Sequence, residues 1–532
     1  YVVAVGIVHG LYPGLVGAVL AVLACSLLAY LLGRVFFRLG GLLFALVTFA
    51  LALMMKIVFS LSPWLGEAEG PQLPLIQEAM SWQTALLMLH SPSQLVYLAL
   101  GFFLVVVTAA MTYAIARSRF GQQLIAARDD PTLAGSCGIP VAHVVAVAWG
   151  ISAAIAAAAG VVHIQSTLSI APGFAFGLGT MSKVLVAALI GGLGTVFGPI
   201  VGSSVLLVAG WARDASSSPD AANMMQVGYA LALLAVVALA PNGVLGWAAE
   251  KRRRAEATKQ GRQACIRTAL PERPARLREC RTEVSNGSRP QEAAEPLLRV
   301  EAISKRFSGI TALDNFTFEL RAAEILALVG PNGSGKTTVF NCITGVLHPD
   351  SGRIIFRDQR LERASPHTIS RVGISRTYQS LRVLPRQSVL QNVSLPLLAS
   401  GMPAQERRIK TLEALASVGL VVDVDRMTSD LSIAEMRLVE LARAVASEAR
   451  LILLDEAMVG LSRDEAGRIL ATIKVLQTSG VAFIVVEHSV GLIMSIAHRV
   501  IVANRGAVMA DGPTSQVLAD ASVVEAYFGS GR

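Results

Sequence analysis

Charge is scarce in this chain. Only 16% of its 532 residues are Asp, Glu, Lys or Arg, against roughly a quarter in an ordinary soluble domain. The deficit falls on residues 1–250, where long apolar runs dominate, while the remainder has the composition of a soluble α/β protein. That asymmetry implies a membrane domain followed by an aqueous one. Cysteine is sparse as well. The five, Cys25, Cys137, Cys265, Cys280 and Cys342, form no CxxC pair and no metal-ligand spacing, which argues against a disulfide framework and a cysteine-held zinc site. A start methionine is also absent. Tyr1 already lies within apolar sequence, so the expectation is a truncated N-terminus with an earlier membrane helix missing, and no cleavable signal peptide can be judged there. The net charge of +9 comes largely from residues 251–296. That stretch forms no basic, aromatic-bearing folded patch of the kind nucleic acid requires. It reads as a flexible tether whose charge serves topology and solubility, with anionic lipid as a secondary partner.

Among what is present, EILALVG (324–330) has strand length and is followed by PNGSGKTT and the helical pattern VFNCITGVL. The stretch Gly330–Thr337 fits GxxxxGK[ST] in strand–loop–helix context, so Gly330, Pro331, Asn332, Gly333, Ser334, Gly335, Lys336, Thr337 and Thr338 are the candidate phosphate cradle. Glycines let successive N–H groups turn inward around phosphate oxygens, and the helix N-terminus adds a favourable field. Lys336 would neutralise the β/γ charge of ATP and Thr337 would ligate Mg²⁺. LILLDE at Leu451–Glu456 is a buried-type strand delivering two carboxylates at its end. Neighbours on a strand face opposite ways, so Asp455 can serve the metal while Glu456 polarises the attacking water.

A membrane crossing needs about 20 apolar residues. Single candidates are 11–33, 39–61, 93–116, 141–162 and 226–247, while 183–211 is too long for one span and is broken by GGLG and GP. Arg34 and Arg38, then Arg117, Arg119 and Arg128, then KRRR at 251–254 mark one side, and loop 62–92 carries Glu67, Glu69 and Glu78 with no Lys or Arg. A nucleotide-using domain must stay in the cytoplasm, so 183–211 should cross twice or form a re-entrant hairpin turning at its glycines. Those glycines serve either a translocation path or close helix packing, and the pattern leaves both open. Lys56 and Lys183 read as snorkelling to the interface, and His163 and Gln165 as loop residues.

Three further stretches narrow the class. SRTYQS holds Gln379, LSIAEMR (431–437) precedes LILLDE, and VVEHSV (485–490) holds His488. In this order they resemble the ATPase of an ATP-binding cassette (ABC) transporter over about 297–532. FSGITALDNFTFEL, SRTYQSLRVLPRQSVLQNV and NRGAVMADGPTSQVLADASVVEAYFG resemble the branched-chain amino-acid importer ATPases, while LGGLLFALVTFAL, RDDPTLAGSCGIP and AALIGGLGTVFGPIVGS resemble the permease of the same family. The resemblance implies an all-α permease domain of about 6–8 helices at 1–250, a linker at 251–296 and an α/β P-loop NTPase at 297–532. It implies adenine stacking by Phe307, Gln379 at the metal, Glu456 as base, His488 at the γ-phosphate, and Arg128–Ile139 as the segment that docks on the ATPase. Leu431, Ser432, Ile433, Ala434 and Glu435 would act on the nucleotide of an opposing ATPase.

The expected setting is the bacterial inner membrane, multi-pass, with the ATPase in the cytoplasm. The implied partners are a second permease and a second ATPase (or a second copy), a periplasmic binding protein and a small-molecule substrate. Branched-chain amino acids lead, with urea, short amides and aromatic compounds as alternatives. An exporter half-transporter and a non-transporting membrane ATPase are the rival classes. Two positions depart from the family pattern. Ala457 stands where proline is usual, a mild change. Ala434 replaces glycine in a pattern near LSYGEQR, where a methyl would crowd a close approach and penalise positive φ. The expectation is a weakened signature and two unequal ATP sites, with Ala434→Gly raising ATPase activity.

Overall fold

A computed structural model describes residues 1–36, 41–73, 94–214, 243, 295–487 and 489–517. The chain forms two compact units, one from Tyr1–Ser118 and Val145–Leu270, the other from Arg119–Val144 and Pro271–Arg532. The second unit thus takes in a short segment that interrupts the first.

In the first unit the described elements are all helical: α1 (Val2–Val8), α2 (Gly14–Phe36), α3 (Gly41–Leu61), α4 (Gln94–Arg117) and α7 (Val141–Thr167), then α8 (Leu178–Gly191) and α9 (Gly198–Asp214). Among the described residues, Gly14–Phe36, Leu43–Leu61, Gln94–Arg117, Val141–Thr167 and Pro172–Gly191 are long and apolar enough to cross a membrane. Their outward faces carry side chains such as Leu23, Leu27, Phe102 and Phe103. A helix that is apolar all round needs lipid or protein on every side. The expected crossing 226–247 and the tether 251–296 lie outside the described residues, apart from Gly243, Glu295 and Pro296.

The segment 183–211 folds as a hairpin of two helices, with its first arm starting earlier than the sequence pattern suggests, at Leu178. Its glycines are contact points between backbones. A Cβ on Gly191 would lie 1.6 Å from the Gly198 carbonyl oxygen, and one on Gly202 would lie 1.8 Å from that of Ala187. Close helix packing through small residues is what this geometry supports. A second correction concerns His163 and Gln165. Helix α7 runs on to Thr167, so both sit in its last turns, with Gln165 buried and His163 stacked on Phe174 at 4.7 Å.

The second unit holds two sheets. One is antiparallel and joins β1 (Leu298–Phe307), β2 (Ile310–Leu320), β4 (Ser351–Phe356) and β5 (Gln359–Arg360) in the order β2-β1-β4-β5. The other adds β9 (Arg499–Asn504) and β10 (Ala507–Pro513) and runs β10-β9-β3-β8-β7-β6. In the larger sheet β9, β3 (Ile325–Val329), β8 (Ala482–Val486), β7 (Leu451–Asp455) and β6 (Ile374–Arg376) are mutually parallel. Strands β3, β7 and β8 are buried along their whole length. Helices cover both faces of such a sheet, which is why these strands read as unbroken apolar runs. The carboxyl ends of parallel strands form the crevice where ligands of open α/β sheets bind. Helix α10 (Lys336–Ile343) follows β3 there, and α11 (Ile433–Ala446) precedes β7. The interrupting segment forms α5 (Arg119–Asp129) and α6 (Pro131–Ser136), joined by Asp130.

The hairpin contact gives a direct check. Gly202→Val should pry α8 from α9 and cost about 2–4 kcal/mol through overpacking and backbone displacement. The expected readout is a lower melting temperature of the detergent-solubilised chain, with a milder loss for Gly202→Ala.

Candidate functional site

The phosphate loop is built as its sequence implies. Strand β3 ends at Val329, and Gly330, Gly333 and Gly335 have φ of 154°, 80° and 101°, conformations only glycine adopts readily. At Gly330 a Cβ would also meet the Ala503 carbonyl oxygen at 2.2 Å. Lys336 is buried, and its Nζ donates to the carbonyl oxygens of Gly330 (2.7 Å) and Pro331 (2.9 Å). Burial lowers its pKa, opposed by the Glu456 and then the Asp455 carboxylate. The loop is tied to the antiparallel sheet by main-chain bonds. Gly506 N–H donates to Ser334 O at 3.1 Å, and Asp314 N–H on β2 donates to Gly506 O at 2.9 Å. Strand β2 pairs with β1, which ends at Phe307. That ring is 41% exposed, with the Lys305 ammonium 5.8 Å from its centroid, so it is a surface aromatic and not a core one.

The acidic pair lies at the end of β7. Asp455 is buried, and its Oδ2 accepts from Arg376 Nη2 at 2.8 Å. The same guanidinium donates through Nη1 to Asn341 Oδ1 on α10 at 2.6 Å. Arg376 therefore bridges Asp455 and the helix that follows the glycine loop, a link that no local sequence signal reveals. Glu456 takes φ 49°, a left-handed conformation that costs about 1–3 kcal/mol in a non-glycine residue. Its N–H donates to Val486 O at 2.9 Å, and its Oε2 accepts from Gln379 Nε2 at 2.9 Å. Gln379 and Glu456, far apart in sequence, are thus brought into contact. His488 lies outside the described residues.

Among the described residues no group of three or more His, Cys, Asp or Glu side chains is placed to hold a metal ion. Mg²⁺ bound with a nucleotide needs little more than one carboxylate and a hydroxyl, since phosphates complete its shell. The exposed Thr337 beside the loop and Asp455 at the strand end are hard oxygen donors of that kind, so the donor set fits the ion.

The stretch LSIAEMR begins α11. Ser432 is its N-cap, and a capping box joins the two residues reciprocally: Glu435 N–H donates to Ser432 Oγ at 3.2 Å and Ser432 N–H to Glu435 Oε2 at 2.8 Å. Leu431 is buried, while Ser432 and Ile433 are exposed. Ala434 is the second helical residue and is buried. It needs no positive φ, and its methyl is covered by the unit itself. The positive-φ part of the expected penalty for alanine therefore does not arise, and what is left is the crowding of a nucleotide held by an opposing ATPase. Ala434→Gly should cost about 0.5–1 kcal/mol in the helix, so a rise in steady-state ATPase activity would come from relieved crowding of the opposing nucleotide and unchanged activity would discard that crowding, readable from paired melting and phosphate-release assays.

The interrupting segment sits against the same unit. Asp130 caps α6 by accepting from Leu133 N–H at 2.9 Å, and both its carboxylate oxygens accept from Arg382 Nη1, at 3.0 and 2.7 Å. Gln123 reaches Leu398 O at 3.5 Å, and Arg119 donates to Gly401 O. Arg382 lies three residues past Gln379. Tyr378, between Arg376 and Gln379 in sequence, has the Arg376 and Arg382 guanidinium groups 5.0 and 4.7 Å from its ring centroid.

A phosphate-cradling loop, an acidic strand end, a capped helix between them in sequence and an apolar helical unit in one chain define an ATP-driven membrane transport protein of the ATP-binding cassette class. The comparisons with known proteins agree. Residues 313–459 match the ABC transporter family, and residues 1–239 match the branched-chain amino acid transport system permease component. The chain is 34% identical over 252 residues to the high-affinity branched-chain amino acid transport ATP-binding protein LivG of Escherichia coli (strain K12), covering 44% of this chain and 99% of that one. It is 33% identical over 226 residues to the ribose import ATP-binding protein RbsA 3 of Rubrobacter xylanophilus, covering 42% of this chain and 46% of that one. A crystal structure of a nucleotide-free ATP-binding cassette from an ABC transporter is 28% identical, with a TM-score of 0.41, covering 44% of this chain and 100% of that one. The chain belongs to the ABC transporter family of the branched-chain amino-acid type, with a permease component fused to its ATP-binding component. It is a membrane protein with a cytoplasmic ATPase that binds and hydrolyses ATP, and proteins of this type work with partner subunits and a binding protein.

Proposed function

We propose that the chain is one half of an importer that carries branched-chain or related hydrophobic amino acids across a bacterial inner membrane. The permease match across residues 1–239 supports the substrate class. The ATPase half does not select it, because a ribose import protein shares similar identity. The domain division is a permease at 1–250, a tether at 251–296 and an ATPase at 297–532, with Arg119–Val144 belonging structurally to the ATPase unit.

In this reading Gly330–Thr338 hold the phosphates through inward N–H groups, and Lys336 releases its loop carbonyls to meet the β/γ charge. Phe307 stacks on adenine from its exposed position. Thr337, Asp455 and Gln379 would hold Mg²⁺, which would supply neutralisation of the charge developing on the transferred phosphoryl group. Glu456, fixed by Gln379, orients and deprotonates the attacking water, and His488 contacts the γ-phosphate. Leu431–Glu435 present a helix N-terminus to the nucleotide of an opposing ATPase, supplied by a sister subunit or a second copy. A second permease and a periplasmic binding protein complete the assembly. Helix closure would reach the membrane helices through the Asp130–Arg382 contact, since Arg119–Val144 runs in the chain directly between α4 and α7.

The test is uptake of labelled leucine by cells carrying the chain with its partners, against Glu456→Gln. Loss of the base is expected to reduce both ATP hydrolysis and uptake by about 10²- to 10⁴-fold. Hydrolysis lost in the variant with no leucine uptake in the wild type would discard leucine and direct the screen to urea, short amides, aromatic compounds and ribose. Hydrolysis unchanged by Glu456→Gln would overturn the assignment of the base.

A further inference from the structure

Helix α11 carries three buried charged groups that nucleotide binding does not use: Arg437, Glu440 and Arg443. Their spacing of three residues places them along one face. All three converge on the loop Tyr378–Arg382. Arg437 donates from Nη1 to Tyr378 O at 2.9 Å and from Nη2 to Gln379 O at 3.1 Å. Its Nη1 also lies 2.8 Å from Glu440 Oε2, and Glu440 Oε1 accepts the Arg382 N–H at 3.0 Å. Arg443 closes the far end by donating to Arg382 O at 3.0 Å. Main-chain groups at both ends of the five-residue loop are therefore held by one helix face, with the Gln379 amide on Glu456 between them.

Fold stability alone does not account for this arrangement. A buried ion pair is commonly matched or exceeded in stability by apolar residues of similar volume. What apolar residues cannot supply is donors aimed at two successive carbonyls. The planar guanidinium fork provides them in fixed geometry, and a lysine ammonium does not. The bonds Arg437 makes to Gln379 are to its main chain, which leaves the side-chain amide to meet the carboxylate.

We propose that Arg437, clasped by Glu440, is a positioning residue for ATP hydrolysis: it fixes the main chain of Gln379 so that the amide holds Glu456 in its working orientation. This rests on Glu456 being the base, as proposed above. A displacement near 1 Å at a catalytic group can lower a rate by about 100-fold. Because Ser432 caps the same helix, the clasp also makes the loop follow the signature stretch.

The experiment uses the full chain assembled with its partner subunits and measures ATP hydrolysis, binding of a fluorescent ATP analogue and melting temperature. Arg437→Lys keeps the charge opposite Glu440 but loses the fork. It is expected to lower kcat about 10- to 100-fold while leaving KM and nucleotide affinity within about twofold. Gln379→Ala, which also removes a proposed Mg²⁺ ligand, should lower kcat at least as much, and the double variant Arg437→Lys with Gln379→Ala should be no slower than Gln379→Ala alone. Should Arg437→Lys fail to fold, Arg437→Met with Glu440→Met removes the pair without leaving a lone buried charge, and the same loss of kcat is expected. A wild-type kcat in either folded variant, effects that multiply in the double variant, or a loss confined to KM and melting temperature would overturn the proposal. Hydrolysis that survives Glu456→Gln would instead remove the reading beneath it, a separate result.

Discussion

The site depends on a loop of five residues, Tyr378–Arg382, being held at both ends while its middle stays free to touch the chemistry. Its carbonyls take donors from Arg437 and Arg443, its last N–H reaches Glu440, and its Tyr378 ring has two guanidinium groups near it. From that fixed base Gln379 reaches Glu456 and Arg382 reaches Asp130. One contact points to the ATP site and the other to the segment that is continuous with the membrane helices. In the proposed importer both ends of this loop would have to be rigid, and buried charge-assisted hydrogen bonds are among the strongest means a protein has of making it so. Burial pushes the Glu440 carboxyl up, while Arg437, the Arg382 N–H and Arg443 pull it back. The network therefore holds together only while each charge keeps its partner.

The two units solve opposite solvation problems. In the first, helices with apolar faces on every side place small residues where backbones meet, as at Gly191 and Gly202. Without a hydrophobic drive between helices in lipid, such close contact is what brings them together. In the second, apolar strands are sealed by helices, and the charged groups that are buried there, such as Arg437, Glu440 and Arg443, are hydrogen-bonded. Arg119–Val144 obeys the second set of rules while being inserted in the first, and Asp130 serves it twice, as cap and as ion-pair partner.

Much of this was legible in the sequence because the signals are local. A strand, a glycine loop and a helix read directly as Ile325–Val329, Gly330–Gly335 and Lys336–Ile343, and the break at GGLG marked a helical turn. Asp455 and Glu456 could be placed at a strand end from LILLDE alone. The bridge from Arg376 to Asn341 and Asp455 could not, since it joins residues 35 and 79 positions apart. Arg437 and Glu440 had a signal of a kind, charged residues on the inward face of an amphipathic helix, which implies buried partners without saying which. At Ala434 the pattern suggests a backbone that wants glycine, whereas the capping box starts the helix one residue earlier, at Ile433, and gives alanine an ordinary helical position. The helix end at Thr167 was also read short, because polar His163 and Gln165 mimic a loop when their packing is not visible.

In the proposed importer one ionic contact, Asp130 with Arg382, ties the membrane-continuous segment to the loop that would position the base. The most direct measurement compares the rise in ATP hydrolysis when loaded binding protein is added to reconstituted transporter, in the wild type and in Asp130→Asn. Asparagine keeps the helix cap but gives up the charge opposite Arg382. Basal hydrolysis is expected to persist while the stimulated rise is largely lost. A full rise in Asp130→Asn, at an unchanged melting temperature, would contradict that expectation.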